Sequence, residues 1–370
     1  MKTSWKMVIL ILCLLGSLLI AGLSTAARNA SSAPYNIFLP LVNKNFDSST
    51  RQLGMIVTNP NNYNESYIYS ISENGNDPTN LTITPTTDLY YAWSPDGSKI
   101  AFNAYWGGDE NIYVMNADGS GLTQLTSEIN YDSFSTWSPD GSQLAFYSRR
   151  SGSSQIYVMN SDGTDVQQLT DCHPSCISPL WAPVGKKIIF DYDGITDNQS
   201  EIYSINSDGT GLLNLTNNAY YDSASGWSPD GSKILFYSNR DHGGMDNLID
   251  IYTMNSDGSD PLRLTTNGYI ARVAWSPTGT KIAYWQYNGP MGLFIINPDG
   301  SDLVELLCQS LPIDTIDFTW SPDASKIAFS HVSFTPDTRG IYIARLDNSS
   351  CTHITTLQAR SPKWRPLSTP

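Results

Sequence analysis

Trp93-Ser94-Pro95-Asp96-Gly97-Ser98-Lys99-Ile100-Ala101-Phe102 is the stretch whose reading decides the fold, because the chain writes it again and again. A tryptophan opening the same kind of turn stands at 93, 137, 181, 227, 275, 320 and, in truncated form, 364. The intervals are 44, 44, 46, 48, 45 and 44 residues, a near-constant period that marks a repeat array. Within the turn, Pro presets φ at an early position, Asp tolerates the next, and Gly supplies positive φ without a steric cost. The turn therefore reads as a hairpin connector.

Around each turn the pattern alternates with period two, so the repeat lays out as four strands. In the second full repeat these are Ser133–Trp137, Gln143–Tyr147, Gln155–Met159 and Val166–Thr170, with Asn160-Ser161-Asp162-Gly163 turning between the third and fourth. Four short antiparallel strands every 40 to 50 residues describe a blade whose apolar faces are covered only by stacking on neighbours. The strand tally then closes. The N-terminal segment supplies a second strand from Leu53, a third from Tyr67 and a fourth from Leu81, but no first strand; the C-terminal segment supplies only a first strand, ending at Trp364. Together they complete one blade, which predicts an all-β, seven-bladed β-propeller of four-stranded antiparallel blades sealed by the Trp364 strand. The repeated Trp is read as filler between blades, while Trp106 and Trp285 lie off the repeat position and are candidates for a binding surface.

Composition agrees with this class: 21 Tyr, 11 Phe, 10 Trp, 27 Gly and 21 Pro favour short strands and tight turns. A net charge of −14, from 21 basic against 35 acidic residues, repels nucleic acid and anionic lipid headgroups. The chain opens with Lys2 and Lys6, an apolar run from Met7 to Leu23, and Ser24-Thr25-Ala26-Ala27. That layout reads as a secretory signal peptide over 1–26, with an uncleaved anchor as the alternative and the one membrane contact expected. Cys13 follows Leu12 rather than a small residue, so no lipoprotein-type site is read there. Residues 27–50 form an extended tether, 51–366 the propeller and 367–370 a tail, and the protein is expected to be exported (secreted, periplasmic or envelope-associated) and monomeric. Export leaves Cys172, Cys176, Cys308 and Cys351, read as disulfides Cys172–Cys176 across a small loop and Cys308–Cys351 between neighbouring repeats. A metal site at Cys172, His173 and Cys176 is the alternative, and it lacks a second ligand pair.

Trp93 to Phe102, followed by Ile112-Tyr113-Val114-Met115-Asn116-Ala117-Asp118-Gly119, resembles the WD40-like propeller repeat of TolB and related exported proteins. The likeness spans residues 52 to 366. Similar repeats occur in periplasmic scaffolds, in sugar-acid lyases and in propellers attached to serine peptidases, so the resemblance implies a fold more than an activity. TolB itself carries an α/β domain before six blades, which implies that this chain is not its orthologue. No Gly-x-Ser-x-Gly elbow is present.

Only four histidines are present, His173, His242, His331 and His353, in different repeats. A lyase of the resembled kind would need metal ligands converging in the central channel, and His242 and His331, after second strands, are the histidines placed for it. Five positions before the repeat Trp stand Asp88, Asp132 and Asp222, with Asp314 and Asp317 at nearby offsets. Carboxylates converging at one mouth of the channel would suit Ca²⁺, whereas Asp at the start of a strand also simply caps turns. The Asn-x-Asp-Gly turns lack the further ligands of an EF-hand and read as hairpins. Variation concentrates between second and third strands, where Trp106, Asp109, Asp193, Arg240 and His242, with Trp285 and His331, provide aromatic, acidic and basic groups for a protein or glycan partner. The reading is a non-catalytic exported scaffold without a cofactor; the alternative is a metal-dependent lyase or hydrolase acting on a sugar-acid-type substrate.

Overall fold

The computed structural model describes residues 51–367 apart from 83, 88–89, 107, 128–130, 194–199, 246–247, 289–290, 309–314 and 332–336. Twenty-eight strands form seven four-stranded antiparallel sheets, and one three-residue 3₁₀ turn, Arg240–His242, is the helical content of the described residues. Blade 1 has the strand order β28 (Ala359–Trp364), β1 (Gln52–Asn59), β2 (Asn62–Ser72), β3 (Thr79–Asn80), so the last strand of the chain pairs with the first. Leu53 sits opposite Trp364 and Val57 opposite Ala359. Blades 2 to 7 follow in chain order, and the ring is closed as the strand tally requires.

The repeat turn is held by its own side chains. Ser94 Oγ donates to Asp96 and accepts the Lys99 N–H at 2.9 Å, while Ser98 N donates to the same carboxylate at 3.0 Å. These donors, led by the serine hydroxyl, hold the Asp96 carboxyl down to about 2, and the same arrangement does so for Asp140 and Asp230. Gly97 has φ +67°, and a Cβ there would lie 2.7 Å from the Pro366 carbonyl, so the turn requires glycine.

The repeated tryptophans fill the seams between blades. Trp93, Trp137, Trp181, Trp320 and Trp364 are all buried. Four of the seven also reach across the seam by hydrogen bond. Trp93 Nε1 donates to Lys363 O, Trp137 to Ala92 O, Trp227 to Leu180 O and Trp320 to Ala274 O, each time to the residue before the preceding blade's own tryptophan.

In blades 1 to 5 the fourth strands are shorter than the pattern predicts, two residues each, whereas blade 7 keeps five, Cys351–Thr355. In blade 3 only β11 (Gln167–Gln168) pairs, not Val166–Thr170, and in blade 1 Thr79–Asn80 pairs instead of Leu81–Ile83, of which Ile83 lies outside the described residues. The cause is the threonine that follows. Thr170 Oγ1 accepts the Ile156 N–H at 2.9 Å, and Thr82, Thr126, Thr216 and Thr265 do the same in their blades. A side chain thus takes the donor that a longer ladder would use.

Antiparallel alternation assigns the connections to two faces. The Ser-Pro-Asp-Gly and Asn-x-Asp-Gly turns share one, while the connections from second to third strand, and from one blade to the next, share the other, the loop face. Both cysteine pairs are disulfides: Cys172–Cys176 with Cα atoms 5.8 Å apart, and Cys308–Cys351, joining blades 6 and 7, at 5.4 Å.

Candidate functional site

The loop face collects most of the titratable groups singled out by sequence, and it builds them into the fold. Blades 3 and 5 carry the same device. Asp132 opens β8 (Asp132–Trp137) and is fully buried; Arg150 Nη2 donates to both its oxygens at 3.1 Å, and Arg150 Nε donates to Ser148 Oγ at 2.9 Å. The guanidinium lies 5.4 Å from the Phe146 ring and 5.0 Å from Tyr157. In blade 5, Arg240 Nη2 donates to the buried Asp222 at 2.9 Å and its Nε to Ser238 Oγ at 2.9 Å, over Phe236 and Tyr252. A buried carboxylate without such a partner is costly, so each arginine is what allows its aspartate to stand there.

This arrangement changes the reading of the acidic column. Asp132 and Asp222 do not turn toward a shared ion; each is committed to an arginine of its own blade. Asp88 lies outside the described residues. Among the described residues no group of three or more His, Cys, Asp and Glu side chains is placed to hold a metal ion.

The seam between blades 4 and 5 continues the network. Asp191, on β13 (Lys187–Asp193), accepts Ser223 Oγ at 2.7 Å and Ala224 N at 2.9 Å from blade 5. Burial pushes its carboxyl up to about 7, and the nearby Asp193 and Asp222 add to the rise. Asp193 accepts Ser175 Oγ at 2.8 Å. Glu201 accepts Asn218 N at 2.7 Å, and Asn218 Nδ2 passes the chain on to Asp222 at 2.5 Å.

His242, the last residue of the 3₁₀ turn, sets Nε2 2.6 Å from Asp250 Oδ2. A histidine oriented by a buried carboxylate is a general-base geometry, but here Asp250 also accepts Arg263 Nε at 3.0 Å, Thr265 Oγ1 at 2.8 Å and Gly268 N at 3.0 Å. With Nε2 aimed at the protein, the cluster ties the 3₁₀ turn Arg240–His242 to blade 5. His331 is 3% exposed at the end of β25 (Lys326–His331), with its ring edge-on to Tyr342, which stacks on His353 at 4.3 Å. The two candidate histidines lie in different blades, His242 in blade 5 and His331 in blade 7.

The off-repeat tryptophans are not surface platforms. Trp285 is 5% exposed, packed between blades 6 and 7 with Leu293, Phe318 and Trp320. Its column in the second strand, shared with Tyr147, Asp191 and Tyr237, faces the seam rather than solvent. Trp106 is half-buried against Phe102 and Tyr113 and donates to Pro85 O at 2.9 Å. Asp109 pairs in register with it across the hairpin. Sequence reasoning missed Arg150, Asp191, Asp250 and Arg263. Tyr-Asp-Ser followed by Phe-Tyr-Ser-x-Arg, at 131–133 with 146–150 and again at 221–223 with 236–240, was the available signal for the first.

A closed seven-bladed propeller whose loop-face charges are tied into the blades defines the class. The family described as the TolB beta propeller domain matches residues 81–193 and 167–311, and the chain belongs to that family. Among solved structures it is similar to TolB from Acinetobacter baumannii, with 22% identity, a TM-score of 0.53 and coverage of 68% of this chain and 62% of that one. It is also similar to a puromycin-hydrolyzing peptidase of Mycobacterium tuberculosis, with 13% identity, TM-score 0.64 and coverage of 83% and 53%. The β-propeller domain of the Trilobed protease from Pyrococcus furiosus aligns at 15% identity and TM-score 0.60, over 82% and 91%. The chain thus spans less than two thirds of the length of the Acinetobacter protein and about half of the peptidase, and these likenesses show the fold. No curated protein matches the chain.

Proposed function

We propose that this protein is an exported propeller scaffold that binds a protein or carbohydrate partner through its loop face, without catalysis of its own. The observation that carries this reading is the set of exposed large side chains beside second-to-third-strand connections. Tyr63, Tyr105, Met245 and Met291 come from blades 1, 2, 5 and 6, and each exposes between 46% and 58% of its surface. Tyr and Met are enriched where proteins meet partners, and the rigid blades beneath hold these loops in fixed relation. Asp109 and Asp193 stand on the same face as polar contacts. The acid–base groups there, by contrast, are engaged within the fold, which favours recognition over chemistry.

Export is supported by the basic-apolar-small layout of residues 1–26 and by two disulfides in a small-cored repeat array. No helix among the described residues is long and apolar enough to cross a membrane. Mass spectrometry of the mature protein should find a new N-terminus near Ala26 or Ala27; an intact Met1 would make the segment an anchor.

The function is tested by affinity capture from the native envelope, and by glycan-array binding, using the wild type beside a variant with all four side chains changed to Ser. A ligand retained by the wild type and lost by the variant is expected. Equal capture by both would refute this face. Elemental analysis showing stoichiometric metal with His242 or His331 would instead support the metal-dependent lyase or hydrolase.

A further inference from the structure

The second strands of blades 1 and 2, β1 (Gln52–Asn59) and β5 (Lys99–Trp106), run eight residues each, against five to seven in the other blades. In every blade the repeat Trp pairs with the first or second residue of that strand, so all seven start at one level. The extra length therefore emerges on the loop face, where two residues beyond a six-residue strand raise a hairpin by about 7 Å. One residue ties the two raised hairpins together. Thr86, in the connection between the blades, exchanges backbone hydrogen bonds with Ser66 at 2.8 and 3.1 Å, and its Oγ1 accepts the Tyr105 N–H at 2.8 Å. Trp106 holds the same connection through Pro85 O.

The tip of the blade 1 hairpin is a bulge. Thr58 faces Ser66 but Asn59 faces Asn62, so Tyr63, Asn64 and Glu65 are looped out of the ladder. Asn59 Nδ2 and Asn62 Nδ2 donate to the two oxygens of Glu65 at 2.7 and 2.8 Å, while their own side-chain carbonyls accept the Asn61 and Asn64 N–H groups at 2.9 and 3.2 Å. These bonds hold the bulge and present Tyr63, 58% exposed; across the tie, Tyr105 is 46% exposed. Bulges re-aim side chains and recur beside binding sites. Between them, residues 59–64 and 104–109 carry these two tyrosines and four asparagines, and no Lys, Arg, Leu, Ile, Val or Met. The carboxylates at the tips are Glu65 and Asp109.

We propose that the paired tips bind a neutral oligosaccharide. A sugar ring has C–H faces that an exposed tyrosine ring covers, and a rim of hydroxyls that both donate and accept; amides do the same without a charge. Tyr63 and Tyr105 supply two platforms whose spacing the Thr86 tie fixes, and Asn61 and Asn64, both exposed, supply the amides. Glu65 and Asp109, with no base in either tip, repel acidic sugars. A protein partner would call instead for the apolar and arginine contacts that the tips lack. The site lies within the loop face proposed above and rests on that reading, but it needs neither Met245 nor Met291, which stand in blades 5 and 6.

The test is calorimetric titration of the full chain with cellotetraose, maltotetraose, chitotetraose and mannotetraose, beside tetragalacturonate as the acidic control. At least one neutral sugar should bind, and tetragalacturonate should not. Tyr63→Ala and Tyr105→Ala should each weaken that sugar about tenfold. Tyr63→Phe should keep most of the affinity, because the ring remains, and Met245→Ser with Met291→Ser should leave it unchanged. Failure of all four neutral sugars, equal binding of tetragalacturonate, or unchanged affinity in both alanine variants would overturn the proposal. If no sugar binds while the envelope still yields a partner to the wild type and not to the four-serine variant, this site falls and the loop-face reading stands; loss of that capture as well would overturn both.

Discussion

Trp137 and Trp181 occupy the same place in adjacent blades, 7% and 9% exposed, but only one has a use for its indole N–H. Trp137 Nε1 donates to Ala92 O at 3.2 Å, whereas Trp181 Nε1 is buried without a hydrogen-bond partner. Changing each to Phe removes the N–H and roughly the same volume. The shared packing loss is about 1–2 kcal/mol. At Trp137 the substitution also removes a hydrogen bond contributing about 1 kcal/mol, and at Trp181 it relieves the burial of an unpaired donor, which is worth about 1–3 kcal/mol in the opposite sense. Trp137→Phe should therefore cost about 2–3 kcal/mol while Trp181→Phe stays near zero, a gap of about 2–4 kcal/mol.

Urea unfolding followed by far-ultraviolet circular dichroism reads the gap as a shift in midpoint at constant slope. Trp320→Phe, whose indole donates to Ala274 O, should group with Trp137, and Trp364→Phe, whose indole N–H has no partner, with Trp181. Costs that agree across all four variants within about 0.5 kcal/mol would refute the inter-blade bond as a stabilising device.

Removing residues 360 to 370 takes away most of β28 with Trp364 and bares the edge of β1, so stability should drop by more than the ~3–5 kcal/mol of a lost buried Trp and the melting temperature should fall with it; unchanged melting would mean that the ring does not depend on its closing strand. The two disulfides should differ in worth, because Cys308–Cys351 spans 43 residues and Cys172–Cys176 only 4. Loop-closure entropy gives about 4 kcal/mol for the first and about 2 kcal/mol for the second, and paired Cys→Ala variants in the same urea assay would contradict this if their losses were equal or reversed. Asp191 stays protonated in the folded chain up to about pH 7 while the unfolded chain ionises near its ordinary value of 3.8, so its contribution is lost as pH rises between those values. Asp191→Asn should accordingly gain stability relative to the wild type from pH 4 to pH 7 and level off above; a difference independent of pH would count against the buried neutral carboxyl.

The blade count and its closure were legible because the Trp-led turn must satisfy local backbone geometry in every repeat, and local geometry leaves residues at fixed spacing. Strand ends were less legible. A threonine hydroxyl replaces a ladder bond in the fourth strands of blades 1 to 5, and Leu-Thr reads equally well as the continuation of a strand. The site was harder still, for a related reason. The acidic column five residues before the Trp was visible, but its meaning depends on Arg150 and Arg240, which stand 18 residues further on in both blades. Trp285 stands off the Trp repeat, but its second-strand position is the one where Tyr147 and Asp191 also contact the next blade. In a ring of near-identical blades, structural demands act alike on every copy and produce repetition, whereas a ligand breaks the symmetry and needs different groups at equivalent positions. The buried Asp and Arg pairs of blades 3 and 5 recur and serve the fold, whereas Tyr63, Tyr105, Met245 and Met291 stand in loops that differ from blade to blade, and that departure is why the loop face rather than the seven tryptophans is where a partner should be sought.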